Sequence, residues 1–355
     1  SYFTVNNSEF EFRNRIDAEL YQPNLRSSLR SLKISGYVLK KLSSLFIIRS
    51  GTTPPDRKDG LIYGPILLKT TDIRNEVLPY DGDYYHIEEH IHRRMQITKL
   101  QQKDVLLNIV GATLEVIGRT AFLDELPEEA NITQAMVFLR AKSSEIVPGF
   151  LFVYLCSSFA KDQIKRFARP TGQYNLNLQE VGQILIPICP NHFQQEIDLL
   201  VMRSAKLLKD ADESYSEAQQ LLETELGLDR LNLQKPVGYT ARFSTVGLSQ
   251  AFSAGRIDAQ CYSPLALFYE KWLMRQGSSM PLSLLLEGTA KGRQQIDSEA
   301  GTVDYCSIKH ISSHEIANAS KCFPKPDTPL ATTNDLLLAV TGATIGKVGI
   351  VRRYK

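Results

Sequence analysis

Apolar residues recur at helical spacing at Phe150, Val153, Leu155, Phe159, Ile164 and Phe167, with Pro148 ahead of them. That pattern predicts a helix over Glu145–Ala168, with basic residues crowding its end. Ile16–Ile34 also reads as helix, with Pro23 forcing a break or a late start. Gly64–Thr70 and Val105–Val110 are short, apolar and β-branched, and read as strands. A different object follows. From Asn191 to Leu226 nothing interrupts a helix, Asn191 and Gln194 have capping-box spacing, and Gly227 stops it. At about 1.5 Å per residue the rod is roughly 54 Å long. Steps of four and three pick out Ile197, Val201, Ser204, Leu208, Ala211, Tyr215, Ala218 and Leu222, a heptad seam with a polar interruption at Ser204.

The chain also repeats itself. RIDAELYQP (Arg15–Pro23) returns as RIDAQCYSP (Arg256–Pro264), 241 residues later, with nine identities over the twenty positions from Thr4 to Pro23. KDVLLNIVGATLEVIGR (Lys103–Arg119) returns as NDLLLAVTGATIGKVGI (Asn334–Ile350), at an offset of 231. A period this long describes a duplicated domain rather than a stacked array. The expected fold class is α+β: two repeated mixed α/β domains, residues 1–189 and 237–355, joined by a long coiled-coil-type helix and linker over 190–236. At that offset Lys355 corresponds to Asp124, so the second domain is incomplete relative to the first.

Composition narrows the class. With 43% apolar and 23% charged residues the chain is globular rather than disordered. A net charge of +2 places any basic surface locally, offset by acidic faces elsewhere. The five cysteines are widely spaced and form no Cys-x-x-Cys, which argues against a zinc ribbon and fits a reducing compartment. No stretch reaches a membrane span, and SYFTVNNSEF lacks a signal-peptide layout, so a cytoplasmic protein is expected.

The order Arg-Ile-Asp-Ala-x-x-Tyr-x-Pro, then Lys-Asp-Val-Leu-Leu…Gly-Ala-Thr, resembles the target-recognition domains of type I restriction–modification specificity subunits. So does Thr171-Gly172-Gln173-Tyr174-Asn175-Leu176-Asn177 followed by Ile184–Pro190, Gln195-Glu196-Ile197 and a long helix. The resemblance implies a subunit without an active site whose two domains each read one half of a split DNA target. It implies docking of adenine methyltransferase subunits and of a motor–nuclease subunit. S-adenosylmethionine, Mg and ATP would belong to those partners, and the chain itself would carry no cofactor. A rigid helix fixes the spacing of half-sites better than a flexible linker does.

DNA contact calls for cations at phosphates and amides or hydroxyls at base edges. The best stretch holds Lys165, Arg166 and Arg169 at a helix end, then Thr171, Gln173, Tyr174 and Asn175 in a polar loop. Helix C-termini attract cations in any case. Further candidates are Lys69, Thr71 and Arg74 at a strand exit, the basic pair Arg93–Arg94, and Thr52 and Lys58 in the Gly51–Lys58 loop. In the second copy the equivalent loop carries Lys291, Arg293 and Gln294. Two other chemistries compete. His86, Glu89 and His90 have the His-x-x-Glu-His spacing of a zinc hydrolase, yet no counterpart in the second copy. A protein–protein scaffold that kept the recognition fold is the second. Gly342–Lys347 is one residue short of a phosphate loop, and no amino-methyltransferase Asn/Asp-Pro-Pro-Tyr/Phe motif occurs. The apolar seam residues Ile197, Val201, Leu208, Ala211, Tyr215, Ala218 and Leu222 call for a covering element. It could be the helices near Leu25–Leu32 or Leu265–Leu273, or the same helix of a second chain.

Overall fold

A computed structural model describes residues 21–80, 82–126, 128–231, 238–240, 263–275, 277, 279–311, 316, 319–342 and 344–352. Most of each Arg-Ile-Asp-Ala motif, residues 15–20 and 256–262, lies outside them. The chain divides into two compact units, Ser1–Ala211 and Asp212–Lys355, both mixing helix and strand.

In the first unit α1 (Pro23–Ile34) starts at the proline that the motif supplies, so the late start is the one realised. Strand β1 (Leu39–Lys41), the single turn α2 (Leu42–Leu45) and β2 (Phe46–Ser50) follow. Next come β3 (Ile66–Leu68), β4 (Glu76–Val77), α3 (Glu89–Arg94), β5 (Val105–Asn108), β6 (Val110–Gly111), β7 (Thr120–Phe122), β8 (Ala130–Ile132) and β9 (Met136–Ala141). The main sheet has the order β2-β9-β5-β7-β4, with β5 at its centre. Every residue of β5 is buried, which is why VLLN shows no alternation. Val105 and Leu107 face a large apolar cluster that includes Phe150, Leu151 and Leu155. Leu106 faces the opposite one, with Ile66, Leu68 and Ile132 from the parallel pair β3–β8. Gly51 lets β2 end against that pair, since a Cβ there would lie 1.7 Å from the Ile132 carbonyl oxygen.

The helix predicted over Glu145–Ala168 is two helices, α4 (Pro148–Cys156) and α5 (Ser158–Phe167). Ser157 breaks them apart in an extended conformation (ψ 159°), its hydroxyl donating to the Tyr154 carbonyl at 2.6 Å. The break has a packing reason. α4 is buried around most of its girth, whereas α5 has one inward face, and a single straight helix could not serve both. α1 packs on α5, with Ser28 hydrogen-bonded to Asp162. The hairpin strands β10 (Arg169–Thr171) and β11 (Gln173–Asn175), α6 (Leu178–Gln183) and β12 (Leu185–Pro187) complete the unit.

The long helix α7 spans Asn191–Glu225, with Gly227 left-handed (φ 64°) just beyond. The capping box expected at its start is not the device used. Gln194 instead accepts the Val147 N–H (2.9 Å) and donates to the Cys189 carbonyl (2.8 Å), anchoring the helix to the unit. Val201 is buried and Ile197 and Met202 pack on the core, but every residue from 206 to 225 is exposed. Leu208 and Leu222, two positions of the predicted seam, are 59% and 60% exposed.

The second unit repeats the first where it is described. Helix α8 (Pro264–Arg275) opens on the proline of the second motif, as α1 does. Trp272 donates its indole N–H to the Leu226 carbonyl (3.0 Å), satisfying an orphan acceptor at the end of α7. Strands β13 (Val303–Tyr305) and β14 (Ser320–Cys322) pair, as do β15 (Leu336–Leu338) and β16 (Val348–Ile350). The Lys-Asp and Asn-Asp repeats prove to be one turn. Lys103 and Asn334 are both left-handed (φ 71° and 76°), and the next carboxylate closes the turn on the Gln101 or Thr332 N–H. The register corrects the sequence alignment beyond Gly342. Val105 pairs with Phe122 where Leu336 pairs with Ile350, so the offset falls to 228 and three residues of loop are absent. Ile345-Gly346-Lys347 therefore matches Ile117-Gly118-Arg119, with Gly118 and Gly346 both at positive φ. Lys355 accordingly corresponds to residue 127 rather than to Asp124.

One substitution between the copies has a pH consequence. Asp72 accepts the Lys69 N–H (2.7 Å) to close the turn after β3, and His310 closes the matching turn by accepting the Ser307 N–H on Nδ1 (3.0 Å). Burial, with help from the Lys309 cation, lowers the His310 pKa below its ordinary 6.5. A depressed value means the turn is at full strength above pH 6.5 and is lost as pH falls through the lowered one. Exchange of the Ser307 amide, corrected for its intrinsic rate, should accelerate over that fall in the native chain and stay flat in His310→Asp.

Candidate nucleic-acid interface

The end of β5 organises the most promising surface. Asn108, buried at the end of that strand, donates its side-chain amide to the Thr70 carbonyl at 3.1 Å. It thereby fixes the turn holding Lys69, Thr71 and Arg74. Within the turn Asp72 accepts the Lys69 N–H, and the Arg74 guanidinium reaches the Thr71 carbonyl at 3.4 Å. Asn75, left-handed at φ 63°, accepts the Thr120 N–H and ties the exit of the turn to β7. Thr71 and Arg74 are exposed, whereas Lys69 is half-buried with its ammonium 3.5 Å from the centroid of the Tyr85 ring.

Tyr85 links this turn to the Gly51–Gly64 loop. Its hydroxyl donates to the Asp59 carboxylate (2.7 Å) and lies 3.0 Å from the Lys58 carbonyl oxygen. Burial raises the phenol pKa, and the Asp59 carboxylate raises it further. Arg94 on α3 pairs with Asp56 at 2.6 Å, and that hydrogen bond lowers the Asp56 pKa. Arg93 is engaged by Glu89 one turn back on the same exposed helix face. Such a pair contributes about 0.3–0.5 kcal/mol, and is weak enough to exchange for a phosphate. Thr52 is exposed where its backbone N–H meets the Ile132 carbonyl.

On the other side of Asn108 the chain enters β6, whose Val110 and Gly111 pair with Asn175 and Tyr174 of β11. The predicted polar loop is thus a hairpin, Arg169–Asn175, turning at Gly172 (φ 80°). Gln173 and Asn175 are exposed, and Tyr174 is half-buried against the core. Arg169 is ion-paired with Glu180, which also caps α6 with Asn177. Hydrogen bonds, strand pairs and ring contacts therefore run unbroken from Lys58 through Lys69, Thr70 and Asn108 to the Thr171–Asn175 hairpin.

The helix end that leads into the hairpin differs from expectation. Arg166 is 2% exposed, turned inward with Gln163, Ile164 and Phe167, so it leaves the set of DNA-facing cations. Lys165 is half-buried, and Arg169 is the exposed cation of the three. In the second unit Lys291, Arg293 and Gln294 are exposed on the loop before β13. Arg293 donates to the Pro326 carbonyl, and Lys325 to that of Gln294. The helical zinc motif is not formed. His86 lies before α3, bridged to Ile66, with Nδ1 donating to the Gly64 carbonyl at 2.6 Å. No cluster of metal-ligating side chains occurs among the described residues. Nor, among them, is any helix long and apolar enough to cross a membrane. Gly342 and residues 344–347 lie between β15 and β16, and Lys347 reaches the Ile311 carbonyl at 3.5 Å.

The scaffold residues Asn108, Tyr85 and Asn75 were missed from sequence. For Asn108 a signal existed, a lone amide closing a wholly apolar strand; Tyr85 and Asn75 act through tertiary contacts that leave no local pattern.

The fold so described is a duplicated α+β unit with a long helix after the first copy. No family model matches the chain, and no curated protein matches it. Solved structures similar to it include proteins of restriction–modification systems. One structure concerns assembly and conformational transition of a type I system, at 14% identity and TM-score 0.36, covering 57% of this chain and 50% of that one. The HsdS subunit from Thermoanaerobacter tengcongensis follows at 12% and 0.33, covering 53% and 46%. The S subunit from M. genitalium gives 13% and 0.36, covering 89% and 68%. The matched region spans about half the length of the first two.

The tether at Tyr85 is testable without DNA. Tyr85→Phe removes the bonds to Asp59 and Lys58, and trypsin cleavage after Arg57 or Lys58 should become several-fold faster. A neutral hydrogen bond contributes about 0.5–1.5 kcal/mol, so the melting temperature should fall by no more than a few degrees.

Proposed function

We propose that this chain is a non-catalytic DNA-recognition subunit, each copy of the repeated unit reading one half of a split target. The observation that carries the proposal is the continuous rim from Lys58 to Asn175. Its backbone is pinned by Asn108 and Tyr85, and its exposed side chains include cations, amides and hydroxyls. Preorganised backbone with polar side chains outward is what base-edge reading needs. The two copies keep the same turns but carry unlike loop residues, Lys58, Lys69 and Thr71 in one and Lys291, Arg293 and Gln294 in the other, which suits an asymmetric target. Methyl transfer and cleavage would belong to docked methyltransferase and motor–nuclease subunits, with their S-adenosylmethionine, Mg and ATP.

The exposed distal seam of α7 supports one further part of this reading. Leu208, Tyr215 and Leu222 with their neighbours form an apolar stripe, and each large side chain buried there gains roughly 1.5–3 kcal/mol. The same helix of a second chain, packed antiparallel, would cover it. Sedimentation should show a concentration-dependent dimer that Leu208→Glu abolishes; a native chain that stays monomeric at high concentration removes this part.

Duplex binding tests the main proposal. The chain should shift duplex DNA with a steep salt dependence, because phosphate contacts release counterions. Arg169→Ala and Lys69→Ala should weaken binding to all sequences and each flatten the salt slope by about one ion. Gln173→Ala or Asn175→Ala should instead relax one position of one half-site, read by selection from random duplex, losing about 1–3 kcal/mol of discrimination there. Absence of any duplex binding favours the scaffold reading, and turnover by the isolated chain would overturn the non-catalytic one.

A further inference from the structure

The Gly51–Gly64 loop has a rigid base and an apolar tip. Its base is tied by Arg94 to Asp56, by Tyr85 to Asp59, and by the His86 imidazole to the Gly64 carbonyl. Gly60 and Gly64, both at positive φ (81° and 116°), bound the tip. Between them Ile62 and Tyr63 stand 86% and 74% exposed. Side chains of this size gain nothing for folding by standing in water, and the loop's tethers hold them there rather than let them collapse onto the core. At the loop's base Lys58 pairs with Glu88 (4.0 Å) and Arg94 with Asp56 (2.6 Å), exposed ion pairs weak enough to exchange for phosphates, and Lys69 lies against the Tyr85 ring. An apolar pair at the tip of a stiff loop, with exchangeable cations at its base, is complementary to a base step between two phosphate backbones.

The geometry points to Ile62 and Tyr63 as a wedge that enters a base step of duplex DNA and kinks it. This rests on the DNA-recognition reading and adds a contact that phosphate and base-edge donors do not supply. The second copy sharpens it. Its loop, Gly288–Gly301, has the same length between its glycines but carries Glu299 and Ala300 at the positions of Ile62 and Tyr63. A carboxylate does not enter the stack, so the kink belongs to the half-site of the first unit alone.

Bending of an end-labelled duplex, selected for binding to the full chain, reads this directly by energy transfer between the ends. Side-chain wedges kink DNA by about 20–90°, so the native chain should bend its duplex within that range. The double variant Ile62→Ala with Tyr63→Ala should bind roughly tenfold more weakly, given the worth of a base–aromatic stack, and leave the bound duplex straight. Tyr63→Phe, which keeps the ring, should retain the bend. A native complex with straight DNA, or a double variant that still bends it fully, overturns the wedge and leaves the recognition reading standing. Failure of the native chain to bind any duplex overturns both.

Discussion

Burial of β5 on both faces is the constraint from which the rest of the first unit follows. Val105 and Leu107 need one apolar layer and Leu106 another, so helices α4 and α5 must lie on one side and β3–β8 on the other. A strand so enclosed must pair every backbone group, which β9 and β7 achieve along its two edges. Where enclosure stops, the strand ends in Asn108, and its amide turns the end of a core element into the support of a surface turn. The candidate surface is therefore placed by the core, through a hydrogen bond from a residue no solvent reaches.

The same logic explains how much the sequence disclosed. Strands β3 and β5 were legible because burial on both faces leaves an unbroken apolar run. The long helix was legible to within a residue, since its stop is a glycine whose left-handed conformation has a local signature. The break at Ser157 was not. Serine is tolerated in helices, and what splits the helix is the different burial of its two halves, a tertiary demand. Arg166 misled for a related reason: helical phase, not composition, decided that it points inward beside Ile164 and Phe167. At the start of α7, the spacing of Asn191 and Gln194 suggested a reciprocal cap, but the Gln194 amide is used across the fold instead, on the Val147 N–H and the Cys189 carbonyl.

Duplication shows which residues are structural grammar. The left-handed residue before Asp104 recurs before Asp335, and the glycine at 118 recurs at 346, because those turns cannot close otherwise. Elsewhere the copies solve the same problem with different chemistry. A carboxylate at Asp72 and an imidazole at His310 both accept a backbone N–H, and the imidazole gives up that role as pH falls through its lowered pKa. Asn108 corresponds to Ala339, so the turn after β13 is not held from the strand end as its counterpart is. The copies share a frame and differ in what steadies their loops.

That difference bears on the proposed recognition. A reading surface gains discrimination when its side chains cannot relax to suit a wrong base, so the stiffness of the supporting backbone matters as much as the donors it presents. In the first unit stiffness comes from Asn108, Tyr85 and Asn75, none of which needs to touch a ligand. Substitution at such positions changes geometry, whereas substitution at Gln173 or Asn175 changes chemistry. In the second unit the loop before β13 is steadied instead by Gln295, buried and bonded to the Lys325 N–H and the Thr328 hydroxyl. Exposed residues on either loop can therefore diverge freely while a buried amide beneath keeps the backbone in place. A duplicated domain can change the chemistry of its surface without changing how it folds.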